Sequence, residues 1–136
     1  MPITPRWYND DKRVILIDVV GKWTWEDYQE LGNQIRPMLL SVDHTVDLIA
    51  DMRQSGPIPR GLASVHIRRG QAVRPDNYGI TINVGADSFA KALTSAIHKA
   101  YGGESNQIWV ETLDDALDYI QSYRQDTPDD TSTASA

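Results

Sequence analysis

Two rhythms of apolar positions divide the chain. Short runs rich in β-branched residues read as strands: PRWYND and RVILIDVV on either side of Asn9, Asp10 and Asp11, then residues 45–51, 78–84 and 107–110. Over 78–84 the pattern alternates, with Ile80, Ile82 and Val84 set against Thr81 and Asn83. Asn9, Asp10 and Asp11 have side chains that bond nearby backbone and tolerate left-handed φ, so the first two runs are expected to form a hairpin.

Between the later strands, apolar residues recur three and four positions apart. Thr24-Trp25-Glu26-Asp27 has the form of a capping box, in which the threonine oxygen and the acid three residues on satisfy free backbone donors. The helix it opens at Trp25 would bury Tyr28, Leu31, Gly32 and Ile35, joined by Leu39 if it survives Pro37. Proline has no N–H and crowds the preceding turn, which predicts a kink or an early end there. A weaker helix is expected over Leu62–Val73, with Ala63, His66, Ile67, Gly70 and Val73 on one side. Another follows Asp87 or Ser88, buries Phe89, Leu93, Ala96, Ile97 and Ala100, and stops at Gly102-Gly103. Thr112-Leu113-Asp114-Asp115 repeats the capping box and opens a last helix with Leu113, Ala116, Leu117 and Ile120 inward.

Strands separated by helices need crossover connections, so parallel neighbours should follow the hairpin. The expected fold is α/β: a mixed sheet of about five strands with four amphipathic helices, in one domain over residues 1–124. The end of the chain, with its DTPDDTSTASA, is polar and has no apolar anchor, so residues 125–136 are expected to be a disordered tail.

Composition narrows the chemistry. The 136 residues suit one core, and with no cysteine there is no thiolate catalysis, disulfide or sulfur-ligated metal. No apolar run approaches the about 20 residues of a membrane span, and the start MPITPRWYNDD is unlike a secretory signal, so a cytoplasmic location is expected. The net charge of −6 argues against nucleic acid as a partner. Between Asp51 and Asp76, however, Arg53, Arg60, Arg68, Arg69 and Arg74 give +5 with no acid, leaving −11 elsewhere.

This layout resembles the STAS domain, the fold of anti-sigma-factor antagonists, in its divergent SpoIIAA-like branch of small stand-alone proteins. The resemblance covers roughly residues 5–122 and rests on element order, on GKWTWEDY entering the first helix, on the strand VDLIADMR and on the closing VETLDDALDYI. It implies a non-enzymatic regulatory module that binds a protein partner or senses a ligand. The family's phosphoswitch uses a serine in Asp-Ser-Ser/Thr-Gly at the start of the helix after the central strand. Here the corresponding residues are Arg53-Gln54-Ser55-Gly56, of which only Ser55 and Gly56 match. Ser55 is therefore a candidate phosphosite, with Arg53 or Arg60 to pair with a phosphate; alternatively Ser55 and Gly56 only shape a turn. The partner-binding surface implied is Asp51, Arg53, Ser55, Gly56, Arg60 and Arg68.

Other chemistry is weaker. Open α/β sheets place ligands at the carboxyl ends of strands, where Asp51 and Asp87 stand, yet Asp87 can cap a helix and Asp51 can bond its own turn or pair with Arg53. His44, His66 and His98 are too scattered for a metal motif, and an enzyme built on Asp51 and His66 would have no recognised signature. NVGADS has one glycine and no P-loop lysine, so no cofactor is implied. Of the four tryptophans, at 7, 23, 25 and 109, an exposed one could mark a homodimer face, and Trp25, Ile67 and Trp109 could line the pocket of a small-ligand or lipid carrier with a SEC14-like architecture.

Overall fold

A computed structural model of the chain describes residues 2–57, 59, 75–85 and 107–126. Strands β1 (Ile3–Trp7), β2 (Val14–Gly21), β3 (Val46–Ser55), β4 (Tyr78–Val84) and β5 (Gln107–Val110) lie side by side in chain order. β1 and β2 are the expected antiparallel hairpin, and every later neighbour is parallel. Two helices are described, α1 (Trp25–Leu40) and α2 (Leu113–Asp126). The helices expected over 62–73 and 87–100 lie outside the described residues.

The hairpin turn is an Asx turn. Asp11 N donates to Asn9 Oδ1 at 3.1 Å, and Lys12 N to the Asn9 carbonyl at 3.3 Å. The left-handed position is taken not by Asn9, Asp10 or Asp11 but by Lys12, at φ 55°.

The capping box at Thr24 forms as its sequence requires: Asp27 N donates to Thr24 Oγ1, and Thr24 N to Asp27 Oδ2 at 2.9 Å. Pro37 does not end the helix early. It stands exposed near the end of α1, which runs on to Leu40, so the missing donor falls on the solvent side. Ile35 and Leu39 are buried, and Tyr28, Leu31 and Met38 pack beside them. Gly32, expected in the stripe, is exposed at its flank. One side chain links the end of α1 to the turn after it: Asn77 Nδ2 donates to the Leu39 carbonyl at 2.7 Å and the His44 carbonyl at 3.1 Å.

β3 extends beyond the expected 45–51. A register shift between Asp18 and Val20 lets β2 keep pairing with it, Val20 opposite Gln54 and Gly21 opposite Ser55. Hydrogen bonding to β2 therefore overrides the turn signal of Ser55-Gly56.

The sheet separates two apolar layers. On one side Ile15, Ile17, Val19, Val46, Leu48 and Ala50 meet α1. On the other, Leu16, Ile49, Ile80, Ile82 and Val84 meet Ala116 and Ile120 of α2, with Leu113 and Leu117 partly buried. Thr112 Oγ1 accepts from Asp115 N at 3.0 Å at the start of α2. This helix includes Gln125 and Asp126, where the tail was expected to begin. Near its end, Arg124 reaches back to Asp47 on the central strand β3.

Candidate functional site at the carboxyl end of the central strand

Asp51 is the last residue of β3 to pair with β4, opposite Val84. Beyond it, β3 pairs with β2. Here Asp51 and Arg53 project from the same side and form a two-pronged ion pair, Arg53 Nε to Asp51 Oδ1 at 2.9 Å and Nη2 to Oδ2 at 2.8 Å. Arg53 N also donates to Oδ1, at 3.1 Å. Both local explanations open to Asp51 are therefore realised together. The Arg53 hydrogen bonds hold the Asp51 carboxyl below its ordinary range, against a smaller opposing effect of burial.

The arginine is positioned from below by Gly85. This residue has φ 62°, and a Cβ there would collide with Arg53 Cγ. Gly85 N donates to the Val110 carbonyl at 2.8 Å, which fixes the glycine against β5. A neighbouring strand end thus forms the floor on which the Arg53 stem rests. The guanidinium stays about half exposed.

Ser55 closes β3 and is engaged on both sides. Its Oγ accepts from Trp23 Nε1 at 2.9 Å and donates to the Gly56 carbonyl at 2.7 Å. Gly56 N donates to the Gly21 carbonyl at 2.8 Å, and a Cβ on Gly56 would lie 3.1 Å from that oxygen. Residues 21–23 and 55–56 are thereby stitched together, with Trp23 buried and Trp25 edge-on to it at 5.4 Å.

The structure thus brings together Asp51, Arg53, Ser55 and Gly56. Arg60, His66, Ile67, Arg68, Asp87 and His98 lie outside the described residues. Of the pocket residues, Trp25 packs against the α1 layer. Trp109 alternates with Ile108 and Val110, which face α2, so it points to the other side of β5. Its indole Nε1 is buried without an acceptor among the described residues. His44 Nε2 donates to the Lys12 carbonyl at 2.7 Å, a structural use.

Sequence reading missed Asp18. It lies in register beside Asp51 on the adjacent strand and is paired with Arg6, Nε to Oδ2 at 3.0 Å. Its signal was present as the one acid inside RVILIDVV, but only the β2 to β3 register sets it next to Asp51. Among the described residues no group of three or more His, Cys, Asp or Glu side chains could hold a metal ion. No described helix is long and apolar enough to cross a membrane.

No protein-family model matches the sequence, and no curated protein matches it. The structure is similar to that of an uncharacterized protein of the DUF3478 family from Shewanella loihica PV-4, described as having a SpoIIAA-like fold, at a TM-score of 0.59. The two are 17% identical, and the match covers 86% of this chain and 90% of that one. The α/β mixed sheet built here therefore has the SpoIIAA-like fold.

Proposed function

We propose that the chain is a non-enzymatic regulatory module of the STAS type, which binds a protein partner through the carboxyl end of β3 and the residues that follow. One observation carries this reading. Arg53 presents a half-exposed guanidinium whose orientation is set in advance by Asp51 and by the floor at Gly85. A side chain ordered before contact loses little freedom on binding, and arginine is a residue on which interfaces concentrate their energy. Ser55 and Gly56 give the surface its shape. Phosphorylation of Ser55 would have to displace the Trp23 indole, which favours the shaping role of this serine over a switch.

The test is affinity capture by the full chain from its source organism. A protein partner should be retained in stoichiometric amount and lost when Arg53 and Arg60 are both changed to alanine. A partner that ignores this double substitution would place the contact elsewhere.

A second reading, the small-ligand carrier, is favoured by the Trp109 indole, whose buried N–H meets no acceptor among the described residues and costs stability unless one is supplied. A ligand with a carbonyl or carboxylate oxygen would supply that acceptor. Native mass measurement on protein purified from its own host should then find a bound small molecule, released by Trp109→Phe.

A further inference from the structure

The face of the sheet that carries Asp51 holds four charges in a row across three strands. Arg6 on β1 pairs with Asp18 on β2, Asp18 stands in register with Asp51 on β3, and Asp51 pairs with Arg53. The sign order is plus, minus, minus, plus. The side chains of Arg6, Asp18 and Arg53 are 56%, 37% and 49% exposed, and that of Asp51 21%. Beside them, two positions beyond Asp18 on the same strand face, Val20 is 51% exposed, among the most exposed large apolar residues described.

Asp18 and Asp51 stand side by side on adjacent strands, each paired with its own arginine on the outer side of the row. The middle of the row is therefore the place where an added cation would do most. The row also reads the same from either end. A second copy of the chain laid upon it with rows aligned would set arginine against arginine and carboxylate against carboxylate, so this face repels itself. A foreign segment with two basic residues between acidic flanks meets every charge. The chain's net −6 attracts such a segment from a distance.

We infer that the Arg6, Asp18, Asp51, Arg53 row, with Val20 as its apolar anchor, docks a partner segment that offers a pair of Lys or Arg side chains and an adjoining apolar side chain. This deepens the partner-binding reading above, on which it rests, by naming the partner's chemistry and moving the centre of contact from the loop onto the sheet face. The two basic side chains lie between Asp18 and Asp51, and the apolar one covers Val20.

The test is selection of random 16-residue displayed peptides on the full chain at low salt, followed by affinity measurement on synthetic copies. Enriched peptides should carry a basic pair, bind at least tenfold more weakly to the Asp18→Asn, Asp51→Asn variant, and lose affinity as salt is raised. Val20→Lys touches no ion pair, and it should repel the same peptides. Enrichment without a basic pair, or affinities for both variants within twofold of the native chain, would overturn the inference. Should a captured partner be lost with Arg53 and Arg60 yet hold to Asp18→Asn and Val20→Lys, the docking row is wrong while the broader reading stands.

Discussion

Arg124 in helix α2 and Asp47 in strand β3, 77 positions apart, form an ion pair inside the fold, with Arg124 Nε donating to Asp47 Oδ2 at 3.0 Å. Arg124 Nη2 meets the other carboxylate oxygen, which also accepts from Ile80 N at 3.0 Å. The pair ties the final helix to the two central strands. Removing the arginine would leave a nearly buried carboxylate uncompensated, and breaking such a pair costs about 3–5 kcal/mol. Arg124→Ala should lower the urea midpoint accordingly, whereas replacing both partners by apolar residues of similar volume should cost far less.

Gly79 makes room for that ion pair. A Cβ there would overlap Asp47 Oδ1 and Arg124 Nη2 and press on Thr45 Cγ2. Gly79→Ala should therefore destabilise by about 1–3 kcal/mol in the same denaturation assay, as overpacking does. In an Arg124→Ala background the penalty should shrink, because one of the colliding groups is gone.

Asn77 closes helix α1 from 37 residues past its end. Its amide donates to the carbonyls of Leu39 and His44, two bonds that alanine would remove. Asn77→Ala should cost about 1–2 kcal/mol and speed amide exchange in the last turn of α1 more than elsewhere.

The Asp51 carboxyl is held low by Arg53, so the pair contributes stability above the unfolded value of an aspartate, and loses it as pH falls through the lower folded value. Titration of Asp51 followed by carboxyl chemical shift should give a midpoint below the usual aspartate range, and Arg53→Gln should return it upward. Tyr28 behaves in the opposite sense. Burial, helped by Tyr78, pushes its phenol up to about 12. Its neutral form is favoured in the fold, so its contribution is complete below pH 10 and lost as pH rises toward that value. An absorbance titration should contain one late-ionising tyrosine that Tyr28→Phe removes.

What the residues revealed in advance follows from how local each cause is. The Thr24 and Thr112 caps, the alternation over 78–84 and the hairpin turn act within a few positions, and they fix most of the described elements. The prolongation of β3 to Ser55 depends on the β2 ladder and a register shift, neither of which is written in 52–55. The same holds for Asp47 with Arg124 and for Asp18 beside Asp51: each is an ordinary charged residue until strand register and helix placement supply its neighbour. Asp51 and Arg53 were legible because the partner lies two residues away. Ser55 was read through a family motif, and its bond to Trp23 spans 32 positions.

Whether a partner covers the carboxyl end of β3 can be read from hydrogen exchange of the chain with and without its captured partner. Exchange should slow chiefly at residues 18–21 and 51–57, with the amides of α1 unchanged. Protection confined to α1 or α2, with 51–57 exchanging as in the free chain, would contradict it.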